Sequence, residues 1–192
     1  MTTPTLETLC LILWPFVPGD LDRLAEILTD PDVMRYLPGG TPRTREQSER
    51  TLDFVVDHWE RHGFGWWAVT LKPTGELIGW CGLKRVETTG ETEVLYMFTQ
   101  AQWGKGYATE AARASLRYGF ETLKLDRIIA VAVPENMASR RVMEKLGMQY
   151  EGIAFYYNSN LACYSITRQA FYQPDERDKH PQRQGEITLH PD

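Results

Sequence analysis

Between Gln102 and Ala112 the chain reads Gln-Trp-Gly-Lys-Gly-Tyr-Ala-Thr-Glu-Ala-Ala, two glycines one residue apart that run into small residues at helical spacing. Gly104 and Gly106 lack a Cβ, so the backbone there can take φ > 0 and approach a ligand closely. The first N–H groups of the helix that follows have no partner inside it. With about half a unit of positive charge from the helix dipole at that end, the stretch suits a phosphate or pyrophosphate. It equally suits a strand-to-helix corner with no ligand. A Walker A loop needs Gly-x-x-x-x-Gly-Lys-Ser/Thr, which the chain lacks, so nucleotide hydrolysis has no support. A dinucleotide fingerprint needs a third glycine where Thr109 stands and an acidic residue after the next strand. Asp126 precedes that strand, so nicotinamide binding is not supported either.

The remaining reactive side chains offer little else. Cys10, Cys81 and Cys163 are odd in number, far apart and set in apolar, strand-like surroundings. They read as core thiols of a reducing compartment, not as a disulfide framework. His58 and His62 share a helix face at i, i+4, but no Glu follows the first His and no third ligand is near in sequence, so no metal is expected. The net charge of −5, with scattered arginines, gives no basic field for nucleic acid. No basic region followed by an apolar core opens the chain and no apolar run reaches membrane-spanning length. These point to a cytoplasmic protein without a membrane partner.

The elements that must position the glycine stretch follow from pattern. Thr5 to Phe16 reads as a strand closed by Pro15 and Pro18. Asp20 is a candidate N-cap for a helix whose buried face is Leu21, Leu24, Ala25 and Leu28. The Pro- and Gly-punctuated stretch from Asp30 to Arg43 reads as a long loop. Thr44 and Gln47 then form a capping box for a helix with the stripe Leu52, Val55, Val56 and Trp59. Phe64 to Leu71 and Leu77 to Leu83 form a hairpin, and Thr92 to Thr99 is a strand that delivers the chain into the glycines. In the next helix Ala108, Ala111, Ala112, Ser115 and Gly119 make a flat face for close packing. Ile128 to Val133 is a strand covered on both faces. A short helix from about Ala138 to Leu146, with Gly147 after it, leads to strands Gln149 to Tyr157 and Leu161 to Arg168 joined at Asn158-Ser159-Asn160. Residues 1–172 form one domain in this reading, and 173–192, polar with little to bury, a mobile tail.

Three separated motifs then carry a resemblance. Glu93 to Phe98, Trp103 to Ala111, and Asn136-x-x-Ser139 ahead of Glu144-Lys145-Leu146-Gly147-Met148 together resemble the GNAT superfamily of acetyl-CoA-dependent N-acetyltransferases. Within it they are most similar to the RimJ/RimL-type branch. The resemblance spans roughly residues 5–170 with the elements in order. It implies an α/β (α+β) fold: a mixed, strongly twisted sheet of about seven strands flanked by about four helices, splayed between strands 4 and 5. Acetyl-CoA is the implied co-substrate, lying in the splay. The backbone from Gly104 through Lys105, Gly106, Tyr107 and Ala108 to Thr109 would hold the pyrophosphate, and Met97 and Phe98 would pair with the pantetheine arm. Trp103 departs from the family's Gln/Arg at the head of the cradle, as it often does in that branch. Asn136 matches the family asparagine that contacts the coenzyme, and it equally serves as an N-cap.

Acetyl transfer to an amine requires a neutral nucleophile, a polarised thioester carbonyl and a proton for the departing thiolate. Glu93 matches the family position for the base, working directly or through a water. Its alternative is an exposed strand glutamate like Glu91. Met143 stands where many relatives carry the tyrosine that protonates the thiolate. Ser139, one turn earlier, is the substitute, with Tyr96, Tyr107 and Tyr150 as other donors. By resemblance the acceptor pocket is walled by Asp30 to Arg43, the start of the second long helix and the final hairpin. Asp32, Arg35 and Tyr36 are its polar candidates, and Trp66, Trp67, Tyr156 and Tyr157 its apolar ones. The implied partner is an amine acceptor, either a protein N-terminus or a small molecule. A strand edge in the final hairpin is compatible with a homodimer. A CoA-binding sensor without turnover is the competing reading, favoured by Met143 alone.

Overall fold

The structure, a computed structural model, describes residues 4–37 and 39–173. The expected opening strand is in fact two, β1 (Leu6–Glu7) and β2 (Leu11–Trp14), folded back so that Leu6 faces Leu13. Thr8 makes the corner, its hydroxyl accepting the Leu11 N–H at 3.0 Å, a local bond that competes with a continued strand. Helix α1 (Leu21–Leu28) buries Leu24, Ala25, Ile27 and Leu28. Asp20 does not cap it; its carboxylate turns back to accept the Val17 N–H at 2.9 Å. The expected loop from Asp30 contains a single helical turn, α2 (Pro31–Met34), capped by Asp30. The capping box of α3 (Arg45–His62) is present, with Thr44 Oγ1 and Gln47 Oε1 accepting each other's N–H at 3.2 and 2.8 Å. Its stripe is shifted from the expected one: Val56 is exposed, and His58 takes the core position at 0% exposure.

Strands β3 (Trp66–Leu71), β4 (Leu77–Arg85) and β5 (Thr92–Phe98) continue the antiparallel sheet, and β5 runs into α4 (Tyr107–Glu121). Then follow β6 (Arg127–Ala132), α5 (Met137–Lys145), β7 (Gln149–Tyr156), β8 (Ser159–Thr167) and α6 (Arg168–Tyr172). The eight strands lie in the order β1-β2-β3-β4-β5-β6-β8-β7. Only β5 and β6 are parallel, and they pair at one residue, Glu93 against Ile129, before they part. This is the splay expected between the fourth and fifth strands. The doubled opening strand moves the count by one, and short α2 and α6 bring the helices to six.

The sheet divides the core in two. On one face α1 and α3 pack Leu24, Leu28 and Val55 against Trp66, Trp80 and Met97. On the other, α4 presses Ala111, Ala112 and Leu116 against Trp67, Val94 and Ile128. The flat face of α4 matters here, because a Cβ on Gly119 would lie 2.7 Å from Ile128 Cδ1. The β7–β8 hairpin turns at Tyr157-Asn158, both with positive φ (52° and 58°), one residue earlier than the Asn-Ser-Asn reading. Two such residues make the primed turn that follows the natural twist of a hairpin. The polar tail expected over 173–192 lies, beyond Gln173, outside the described residues.

Candidate active site

A cleft of about 1040 Å³ follows the splay. Its β5 wall is an unused strand edge. The Thr99 N–H donates to Ile78 O at 2.9 Å, which makes Gly79 and Phe98 a pair not bonded to each other. By the alternation of an antiparallel ladder, Val94, Tyr96 and Phe98 then turn their N–H and C=O groups toward β6. Beyond the single β6 contact, Tyr96 and Phe98 have no strand partner there. Buried backbone groups require partners, and an extended chain bearing amides, such as a pantetheine arm, supplies them. One is already taken: the Trp103 indole N–H donates to Phe98 O at 2.8 Å.

At the end of this edge Gly104 and Gly106 have φ of 75° and 88°. No atom lies within 4 Å of a Cβ built on either, so conformation and not space demands glycine. Gly106 is the N-cap of α4, and the first bond inside the helix runs from Glu110 N–H to Gly106 O at 3.0 Å. The N–H groups of Tyr107, Ala108 and Thr109 are thereby left at the helix end, beside the cleft that these residues line. Met97, Phe98, Trp103, Gly104, Gly106 and Asn136 line it as well. Lys105 does not; its ammonium bonds Gln102 Oε1 at 3.0 Å. Asn136 caps α5, its Oδ1 accepting the Ser139 N–H at 3.1 Å.

Two clusters of acid–base groups face each other across the gap. Glu93 is 6% exposed and accepts the Tyr157 hydroxyl. Burial pushes its carboxyl above the ordinary carboxylate range, opposed by the Tyr157 bond and the Lys84 charge. On the other face Ser139 Oγ is 3.0 Å from the Tyr96 hydroxyl, which also lies 3.0 Å from Ser139 O. Burial raises the Tyr96 phenol, so it stays protonated. Met143, 1% exposed, forms the apolar wall beside them. Tyr150 is not in this group; it lies 51% exposed against Tyr164.

The expected acceptor residues divide. Asp32, Tyr36, Trp66 and Tyr157 line the cleft. Trp67 does not: it points to the α4 face, 0% exposed, packed edge-on to Tyr118 and donating to Pro4 O at 2.7 Å. Tyr156 is also excluded, since its hydroxyl is spent on Glu91, which in turn pairs with Arg127 at 2.6 Å. Arg35 lies exposed on the outside, 3.3 Å from Asp32. The cleft gains Lys84, which sequence reasoning missed, and Arg43, Gln47 and Thr51, which lie in the expected walls without having been singled out. Lys84 had a usable signal, as a charge on the Trp80 face of a strand that is apolar up to that point.

Glu87 supplies the third ligand that sequence did not place near His58 and His62, with one ligand atom of each residue within 4.8 Å of the others. His58 Nε2, however, accepts the Arg85 N–H at 3.3 Å, and His62 Nε2 meets Glu87 at 3.2 Å. His58 Nδ1 is buried without a partner. The cysteines are free thiols, Cys81 and Cys163 buried, and none lines the cleft.

The sequence profile of the acetyltransferase (GNAT) domain matches residues 11–149. The uncharacterised protein YkkB of Bacillus subtilis is 36% identical over 140 residues, 72% of this chain and 80% of its own. The FsC-acetyl coenzyme A-N(2)-transacetylase of Aspergillus fumigatus is 33% identical over 156 residues, 77% of this chain and 66% of the fungal one. A GNAT-family acetyltransferase from Bacillus anthracis superposes with a TM-score of 0.73 at 31% identity, over 86% of this chain and 99% of its own. Mycobacterium smegmatis RimJ, in complex with CoA-disulfide, shares the fold with a TM-score of 0.74 at 20% identity, over 88% and 89%. Fold and cleft thus define an N-acetyltransferase that takes acetyl-CoA as co-substrate. The chain belongs to the GNAT acetyltransferase family.

Proposed function

We propose that the chain moves the acetyl group of acetyl-CoA to a primary amine, a protein N-terminal α-amine or a small-molecule amine, by direct attack of nitrogen on the thioester carbonyl. The carrying observation is the buried Glu93–Tyr157 pair set across the splay from the Ser139–Tyr96 pair. Glu93 takes the proton from the amine, directly or through a water. Ser139, its hydroxyl tied to Tyr96, returns a proton to the thiolate. Gly104 to Thr109 hold the pyrophosphate, and Asn136 fixes the start of α5 beneath the thioester. An α-amine near pH 7 is neutral in roughly one molecule in ten, so a modest base suffices. Trp103 at the head of the cradle supports placement in the RimJ/RimL-type branch. The absence, among the described residues, of a helix long and apolar enough to cross a membrane accords with a cytoplasmic setting.

Thiol release from acetyl-CoA, followed with an amine panel across pH, tests this reading. Amines accelerate release, and Glu93→Gln lowers kcat/KM by about 10² to 10⁴ and removes the part of the low-pH fall that Glu93 contributes, leaving the part due to protonation of the amine. An unchanged pH-rate profile in that variant would sink the assignment of the base.

A further inference from the structure

The acceptor end of the cleft holds more hydrogen-bond donors than the chain satisfies. Lys84 is half-buried, its Nζ 4.3 Å from the centre of the Tyr157 ring; the Glu93 and Glu87 carboxylates act on it from beyond contact, and among the described residues none lies within ion-pair distance. Arg43, also half-buried, bonds the Thr51 hydroxyl and likewise lacks a carboxylate, whereas the neighbouring Arg50 is paired with Glu46. Burial lowers the pKa of both side chains, a sign that their charges are poorly solvated. Trp66, 4% exposed, has an indole N–H with no acceptor. All three residues line the same cleft. A partly desolvated cation with no carboxylate in direct contact and a buried N–H without an acceptor each cost free energy, which an oxyanion arriving with a ligand would recover.

The sheet register fixes where that oxyanion sits relative to the reacting nitrogen. Lys84 and Glu93 are direct cross-strand partners on β4 and β5. Such pairs have Cβ atoms about 5 Å apart. An amine delivered to Glu93 therefore brings whatever lies a few bonds away against Lys84. We propose that the acceptor carries an oxyanion within a few bonds of its amine, as a free amino acid or an acidic N-terminal residue does, and that Lys84, with Arg43 and Trp66, receives it. This rests on the amine-acetylation reading above and narrows its substrate class. The same cation repels a second positive charge, so diamines are poor acceptors.

Initial rates of thiol release by the full chain test the proposal with matched acceptors: free amino acids, their carboxamides, diamines, and peptides that begin with Asp or with Gly. Carboxylates are expected to exceed carboxamides by about ten- to a hundred-fold in kcat/KM, the worth of a charge-assisted hydrogen bond. That preference runs against intrinsic reactivity, since the carboxamide's amine is the less basic and more often neutral. Lys84→Met should collapse the acid-to-amide ratio toward one, and Lys84→Arg should keep it. The ratio is the readout because loss of a charge beside Glu93 alters the rate with every acceptor. Better use of Asp peptides than of free amino acids places the oxyanion on a protein N-terminus, and the reverse places it on a small molecule; either supports the proposal. Equal use of acids and amides by the native chain, or a ratio untouched in Lys84→Met, overturns it and leaves the acetyltransferase reading standing. No release with any amine overturns that reading and this one with it.

Discussion

His58 predicts a specific acid weakness. It is fully buried, with Phe54, Phe64 and Trp66 around its ring, and Nε2 accepts the Arg85 N–H just past Lys84. Burial first, then the neighbouring His62 and Lys84, hold its pKa at about 4 against an ordinary 6.5. A folded-state pKa below the unfolded one means that the unfolded chain binds the proton first. The stability His58 contributes is therefore complete above pH 6.5 and is lost as pH falls from there through about 4. At 1.36 kcal/mol per pH unit, that gap is worth about 3 kcal/mol, a large fraction of the roughly 5–15 kcal/mol that holds a domain folded. His58→Gln keeps an oxygen that can accept the Arg85 N–H and removes the titration. Urea unfolding of both proteins, from about pH 7 down to about pH 4, isolates the effect from the carboxylates that titrate in both. The native chain should lose about 3 kcal/mol relative to the variant over that range. Midpoints that fall in parallel would refute the reasoning.

Tyr157→Phe removes the hydroxyl that holds the Glu93 carboxyl down against burial, so the low-pH limb of kcat/KM should move to higher pH; a limb that stays in place removes Tyr157 from the base. Ser139→Ala and Gly106→Ala should separate turnover from binding. The first leaves the acetyl-CoA Kd unchanged and lowers kcat, and full turnover there would pass the proton to another donor. The second places a Cβ at φ 88°, a strain of about 1–2 kcal/mol that, if relieved by refolding the turn, weakens the acetyl-CoA Kd about tenfold with kcat kept. Calorimetric titration with acetyl-CoA reads the two apart.

The glycine-lined half of the cleft, proposed for the donor, was legible in sequence because its geometry is set locally. A positive φ at Gly104 and Gly106, an unpaired helix start and the Asn136 cap are each written within a few residues. The acceptor half was not, because it depends on strand parity and on distant loops. Alternation says that Trp66 and Trp67 face opposite sides; which one faces the cleft is decided by pairing with Gly82 and Cys81 on β4. Tyr156 and Tyr157 posed the same ambiguity, and the turn settled it. Tyr157 leaves the strand at φ 52° and swings over Glu93, while Tyr156 stays in the sheet against Glu91. Arg43 carries no local sign at all, since only the fold brings its loop against Thr51. His58 was misjudged for a related reason. Its Nε2 accepts the N–H of Arg85, the last residue of β4, a need that helical periodicity does not register.

The single ladder pair between β5 and β6 has a kinetic consequence. Glu93 and Lys84 stand on the α3 face of the sheet and Ser139 on the α5 face, so two molecules meet through the gap without displacing each other. No cysteine lines the route, so the chain offers no thiol to store the acetyl group between them. With transfer direct, as proposed, both partners are aboard before turnover. Double-reciprocal plots at several fixed acceptor concentrations should intersect, where parallel lines would demand a covalent acetyl-enzyme.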